Sequence, residues 1–255
     1  MKSKIKFGPA GLGGVKEAIS NLEKYKSFGF SACEIAFTYS AYIKKEDALK
    51  IGKVAKELGI QLSIHAHYWI NLNSEEKEKV RKSKERILKC CEIGKFLGAK
   101  KVVFHPGYYG KKEKIETCQN IKREILELQK EIKKRNYKIK LAPETTGKVN
   151  VFGSIDEIKS LVDETGCGFC IDFAHILARY KKYMFKEVFE KFKDSKEFHI
   201  HFSGIEYGEK GERRHIMTPH EDLKKLIENL PKDKDITIIN ESPDPIGGSK
   251  MGLTL

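Results

Sequence analysis

The sequence predicts a (β/α)8 TIM barrel on three observations. Eight short runs are rich in β-branched and aromatic residues, helical patterns alternate with them, and six of the runs end at or just before a His, Asp or Glu. Eight alternating units joined by right-handed crossovers fit a closed parallel barrel better than an open doubly wound sheet. At 255 residues the chain suits one such domain, spanning 1–255, with ample length to bury a core.

In chain order the runs are KIKFG at 4–8, ACEIAF at 32–37, QLSIHA at 61–66, KVVFHP at 101–106, IKLAPE at 139–144, GFCIDF at 168–173, FHIHF at 198–202 and ITIINE at 236–241. Patterns of helical period predict helices over 14–28, 45–58, 74–97, 112–135, 154–162, 174–193 and 219–230. Gly59 in ELGIQL and Gly98 in FLGAKKV stand where a helix C-cap precedes the next strand. After the last run only SPDPIGGSKMGLTL remains. The eighth helix is therefore expected to be missing or reduced to a turn, which would leave a seam partly uncovered or covered by another chain. GPAGLGG after the first run lacks the dinucleotide-binding spacing, and no internal repeat or low-complexity tract is present.

The formal charge of +13 is compatible with a phosphate-rich partner. Lysine and glutamate also intermix along stretches such as SEEKEKVRKSKERILK, the pattern of a solvated helix face with spaced ion pairs and a thermophile tendency. No segment approaches the ~20 apolar residues of a membrane span, and the basic start is not followed by a signal-peptide core. The expectation is a soluble, cytoplasmic monomer. Cys167 and Cys170 form a CxxC, but at that spacing on a strand their sulfurs would point to opposite faces. They read as buried core thiols, like Cys33, Cys90, Cys91 and Cys118, in a reducing compartment.

Function is written at the ends of the runs. His65 and His105 end the third and fourth, and Glu144 follows on the fifth; two imidazoles and a carboxylate make a zinc-like site with an open position for water. Asp172, His201 and Glu241 end the sixth, seventh and eighth. With Glu144 bridging, they offer a second, oxygen-rich position. Metals roughly 3.5–4 Å apart can share a hydroxide nucleophile and stabilise the leaving oxygen of a phosphate ester. His175, three residues past Asp172, and His215, in the loop after the seventh run, are either surface histidines or the holders of a further metal.

The segments AFT at 36–38, HAHYWINL at 65–72, FHPG at 104–107, ETTGK at 144–148, CIDFAH at 170–175, HFSG at 201–204 and ES at 241–242 are similar to those of endonuclease IV, the apurinic/apyrimidinic endonucleases of the xylose-isomerase-like TIM-barrel superfamily. The resemblance implies a trinuclear zinc enzyme that cuts double-stranded DNA on the 5′ side of an abasic site and leaves a 3′-hydroxyl. It assigns His65, His105 and Glu144 to the first zinc, Glu144, Asp172, His201 and Glu241 to the second, and His175 with His215 to the third. Glu144, Asp172 and Glu241 are then the catalytic carboxylates. Tyr68 and Trp69 match residues that press into DNA at the flipped-out nucleotide, with Lys148, Arg213 and Arg214 as further DNA contacts.

Three departures mark an atypical member. Where the family has Asp-x-His at its third zinc, this chain reads Arg213, Arg214, His215, and a guanidinium cannot ligate zinc. Either Glu212 substitutes after a shift of the loop, or the third position is weak, absent or completed by water, and if absent Arg213 itself faces the phosphate. In place of the family's DNA-penetrating arginine the loop after the second run reads TYSAYIKK, with Tyr42 nearest that position. The first strand, KFGPAG, lacks the family's histidine. Two rival readings stand beside the nuclease: a sugar isomerase or epimerase with one manganese at Glu144, Asp172, His201 and Glu241, and a non-catalytic binder of damaged DNA. Surplus histidines speak against the first, and an intact bridging carboxylate speaks against the second.

Overall fold

The computed structural model describes residues 4–255. Eight parallel strands line the barrel: β1 (Lys4–Pro9), β2 (Ala32–Ala36), β3 (Gln61–His65), β4 (Lys101–Phe104), β5 (Lys140–Pro143), β6 (Ile171–Asp172), β7 (Glu197–Phe202) and, after an inserted hairpin of β8 (Gly204–Gly208) and β9 (Gly211–Ile216), β10 (Asp235–Asn240). Ladders join β2-β3-β4-β5 in one arc and β1-β10-β7-β6 in the other. Single parallel bridges, Ala10 to Glu34 and Glu144 to Cys170, close the two seams. At the first seam the strands approach so closely that a Cβ on Gly8 would lie 1.7 Å from the carbonyl oxygen of Ala32.

Helices α1 (Ala18–Ser27), α2 (Lys45–Leu58), α3 (Lys77–Leu97), α4 (Lys114–Lys134), α5 (Ile155–Thr165), α6 (Phe173–Tyr180), α7 (Phe185–Lys191), α8 (His220–Asn229) and α9 (Pro245–Thr254) surround the strands. Gly59 and Gly98 cap α2 and α3 in left-handed conformation, as their positions before a strand required. Among the described residues no helix is long and apolar enough to cross a membrane.

Three expectations need correction. The stretch over 174–193 is two helices, because Lys181 and Met184 both take positive φ and break the helical run between α6 and α7. The loop expected after the seventh run is the antiparallel β8-β9 hairpin. The eighth helix is neither missing nor a turn: α9 runs for 10 residues, with Pro245 in its first turn and the Asp244 side chain accepting from the Gly247 N–H. Gly247, Gly248 and Gly252 lower helix propensity, which hid α9 from the sequence. Packing explains two of them. A Cβ would meet the Asn240 amide 2.3 Å from Gly248 and the Phe7 ring 2.4 Å from Gly252, so small residues let α9 lie against β10 and β1 and cover them.

Inside the barrel the side chains stack in layers, since alternate strand residues share a face. Lys101, Lys140 and Glu197 pair at the N-terminal end, and Gln61 donates to Thr237 there. The layer above holds Val103, Ala142 and Cys170, together with Glu34, Ser63 and His199. Cys167 instead packs in the large core; it lies in the connection between the Gly166 C-cap of α5 and β6, so the two sulfurs separate, but not as residues of opposite parity on one strand. All six cysteines are free.

Candidate metal centre

The top layer is where imidazoles and carboxylates converge. Glu144, fully buried after β5, is held by its own N–H donating to the Phe104 carbonyl at 3.0 Å. Its Oε2 lies 3.1 Å from His65 Nε2 and 2.9 Å from His105 Nε2, and its Oε1 lies 3.0 Å from His201 Nδ1. The same His201 nitrogen is 3.3 Å from Glu241 Oε2. His65 places Nδ1 2.9 Å from the Ala66 carbonyl, so Nε2 is the nitrogen left for the centre.

Asp172 does two jobs at the start of α6. Its Oδ1 accepts from the His175 N–H at 2.7 Å as an N-cap, while Oδ2 is buried with no hydrogen-bond partner among the described residues. The cap sets His175 on the first turn, where its Nδ1 meets the Thr145 carbonyl at 2.9 Å and Nε2 faces Glu212 Oε2 at 3.4 Å. His215 Nδ1 pairs with Ser203 Oγ at 2.5 Å.

Among the described residues four groups bring donor atoms within 4.8 Å of one another: His65, His105 and Glu144; Glu144, Asp172, His201 and Glu241; Asp172, His175 and His215; and Cys170, His199 and His201. Several carboxylates packed against histidines, with one buried oxygen unpartnered, are what a cation site requires and what a packed core avoids. The first three bring together the residues grouped from the sequence, with Asp172 added to the third, whereas the fourth was not expected.

Electrostatics agree with the geometry. Burial pushes Glu144 upward, but the charges and hydrogen bonds of His201 and His105 outweigh it and hold the carboxylate well below its usual range. Burial likewise raises Glu241, yet His201 brings it down to about 2. For Asp172 burial wins over His175 and His215, and its pKa is raised. Burial opposes charge on His65, but Glu144 lifts it to about 9; His175 reaches about 9 in the same way through Asp172, Glu212 and Glu144.

A cavity of roughly 230 Å³ opens above the centre, lined among others by His65, His105, His175, Glu212, His215 and Glu241. Around its mouth Tyr68 and Trp69 are exposed, 65% and 60%. Tyr42 is less free than expected: its hydroxyl donates to the Gly13 carbonyl at 3.1 Å and its ring packs edge-on against Phe37. Tyr39, at 77% exposure, is the ring that projects from that loop. Lys148 is exposed beside β9.

Arg213 and Arg214 do not face the cavity. Both are exposed and pair with Glu206 on the neighbouring strand. The hairpin register skips Arg213, with Glu206 opposite Arg214 and Tyr207 opposite Glu212, so Arg213 is the extra residue of a β-bulge. The bulge turns Glu212 inward without any larger loop shift. It sits in the cleft left by Gly147, where a Cβ would come within 2.7 Å of Glu212 Cβ and 3.2 Å of the His175 ring.

Sequence reading passed over Glu34, a charged residue inside the apolar run ACEIAF, and His67, which is buried and lines the cavity. For Glu34 the signal was there: it shares strand parity with Ala32 and Ala36, and a carboxylate on an inward face needs partners.

A closed parallel barrel with imidazoles and carboxylates gathered at its C-terminal mouth defines a TIM barrel protein with a candidate metal centre. The chain belongs to the xylose isomerase-like TIM barrel family, whose model matches residues 22–253. The resemblance to endonuclease IV holds at that level. An uncharacterized protein of Methanocaldococcus jannaschii is 36% identical over 254 residues, covering 93% of this chain and 91% of that one. The apurinic-apyrimidinic endonuclease of Caenorhabditis elegans is 30% identical over 205 residues, 72% of this chain and 50% of that protein; the chain spans about half the length of that relative. In fold, endonuclease IV from Thermus thermophilus superposes with a TM-score of 0.74 at 19% identity, covering 98% of both chains. A D-tagatose 3-epimerase-like protein does so at 0.70 and 22% identity, covering 98% of this chain and 96% of that one.

Proposed function

We propose that this protein is a metal-dependent endonuclease that hydrolyses the phosphodiester on the 5′ side of an abasic site in double-stranded DNA, leaving a 3′-hydroxyl. The observation that carries the reading is Glu144, whose two oxygens face two different ligand sets at 2.9–3.1 Å. A carboxylate so placed is built to bridge two cations. His65, His105 and Glu144 would hold the first zinc, and Glu144, Asp172, His201 and Glu241 the second. His175 and His215 would hold the third, with Glu212 as the carboxylate in place of the missing aspartate. When bound, such cations supply an activated water and neutralise charge on the phosphate.

The chain's own residues do the rest. His65 and His175 each commit Nδ1 to a backbone carbonyl and so keep Nε2 toward the centre. Tyr68, Trp69 and Tyr39 offer apolar faces on which bases can stack when a nucleotide is extruded. Lys148 and the net charge of +13 favour a polyanion. The C. elegans relative, by name, acts at apurinic-apyrimidinic sites.

A single manganese at Glu144, Asp172, His201 and Glu241, acting on a sugar, accounts for one of the four sets and leaves His65, His105, His175 and His215 without a metal to hold. One experiment separates the readings: elemental analysis of the purified protein, and incubation with a duplex carrying one abasic analogue. Two or three zincs and a single 5′ nick are expected; one manganese, an intact duplex and turnover of a ketose would overturn the nuclease reading.

A further inference from the structure

Beneath the candidate centre lies a buried acid for which the chemistry above has no use. Glu34, fully buried on β2, sits one layer below the mouth. Its Oε2 accepts from Ser63 Oγ at 2.7 Å and from His199 Nε2 at 2.8 Å. Its Oε1 stands 2.8 Å from His201 Nε2, at an angle outside good hydrogen-bond geometry. The other nitrogen of that ring, Nδ1, is the one that faces Glu144 and Glu241. His201 therefore spans two layers, with one nitrogen in the centre and the other on Glu34.

The rest of that layer includes Val103, Ala142 and Cys170, so a carboxylate there is costly unless something needs it. Imidazole offers two nitrogens, and which one is free to bind a cation depends on where the other places its proton. A small rotation of the ring would align Nε2–H with Glu34.

We infer that Glu34 is a positioning residue: it accepts the Nε2–H of His201 and thereby leaves Nδ1 unprotonated and aimed at the second cation position. His201 is the sole imidazole in that four-residue set. Glu34 acts on that position and not on the one formed by His65, His105 and Glu144. The inference rests on the metal-centre reading given above.

The test uses metal-free full-length protein titrated with Co2+, following the visible ligand-field bands and competition with a chelator. In Glu34→Gln one binding step should weaken about 10–100-fold with an altered band shape, while the other stays as in the wild type. Ser63→Ala disturbs the same buried cluster without touching His201 and should leave both steps unchanged. Two unaltered steps in Glu34→Gln would overturn the inference. So would two steps that weaken together in step with a lowered melting temperature, the mark of a packing role alone. A sulfur-to-cobalt charge-transfer band would also overturn it, by placing the ion among Cys170, His199 and His201. A wild type that takes up no cation removes the metal reading and the inference with it. A wild type that holds two cations yet leaves an abasic duplex intact sinks the nuclease reading and leaves the role of Glu34 standing.

Discussion

Glu212 and His215 face the same cavity although they stand three residues apart on one strand, because Arg213 is bulged out between them. Strand parity alone would turn one of the two away. The extra residue thus restores a carboxylate beside His175 and His215 that the bare motif lacks.

That relationship predicts the effect of three changes. Glu212→Gln should lower the affinity of the weakest bound zinc by at least about tenfold, since a charged ligand becomes a neutral amide. Deleting Arg213 should leave zinc stoichiometry intact, because a regular hairpin keeps residues two apart on one face. Gly147→Ala should mimic Glu212→Gln by pushing that side chain away. Zinc counts and chelator competition read all three; a deletion that loses one zinc would sink the bulge argument.

Replacing Glu144 with Gln should abolish cleavage of an abasic duplex while leaving much of the DNA affinity. The remaining affinity should fall steeply as salt rises, because phosphate contacts release counterions. A nicking assay paired with fluorescence anisotropy at several salt concentrations checks this. Activity equal to the wild type in Glu144→Gln would leave the bridging role untenable.

Tyr68→Ala and Trp69→Ala should each weaken binding to an abasic duplex by about 1–3 kcal/mol, the range for loss of a stacked aromatic. Tyr39→Ala should do the same from the adjoining loop, where the Tyr68 N–H donates to the Thr38 carbonyl at 3.2 Å. Tyr42→Phe loses one hydroxyl bond to Gly13 and should cost about 1 kcal/mol of stability with little effect on DNA. Trp69 is the only tryptophan, so its fluorescence should change on adding duplex without any label. An unresponsive emission spectrum at saturating DNA would remove Trp69 from the interface.

In the metal-free protein His65 and His175 hold pKa values of about 9 against an ordinary 6.5. A raised histidine stabilises the fold fully below pH 6.5 and loses that contribution as pH climbs through about 9. Metal-free protein should therefore melt at progressively lower temperature between those limits. Zinc affinity should rise over the same window, since ligands must shed protons to bind. Glu241, held at about 2, adds stability above the ordinary carboxylate range that disappears in strong acid. Calorimetry in matched buffers with and without zinc checks both slopes. A melting point of the metal-free form that climbs with pH would contradict the assignment.

Gly252→Ala sets two effects against each other. Alanine gains up to about 1 kcal/mol of helix propensity, but its Cβ would stand 2.4 Å from the buried Phe7 ring. Overpacking of that kind costs about 1–3 kcal/mol, so a net loss is expected. Denaturant unfolding decides the sign, and a stabilised variant would mean that α9 does not press on β1.

Periodicity alone placed the eight barrel strands, the helices from α1 to α5 and α8, because each buries one face and repeats its apolar residues accordingly. Six side chains of the centre were legible for the same reason: a charged or imidazole group at the end of an apolar run points toward the mouth. The weak places were those where local propensity and packing disagree. Gly247, Gly248 and Gly252 read as a breaker and form a helix, and for Gly248 and Gly252 close approach to Asn240 and Phe7 demands a small residue.

What the sequence by itself determined is the barrel, its direction, and the ring of imidazoles and carboxylates at one end. Parity and spacing along a single strand suffice for that. Only tertiary structure decided that Glu212 rather than Arg213 enters the cavity, that Tyr39 rather than Tyr42 stands free, and that Glu34 lies under His201 from across the barrel. Each of those depends on a register shift, a hydrogen bond to a distant carbonyl or an apposition of strands 165 residues apart. Distances of that kind are set by closure of the sheet, which no local pattern encodes.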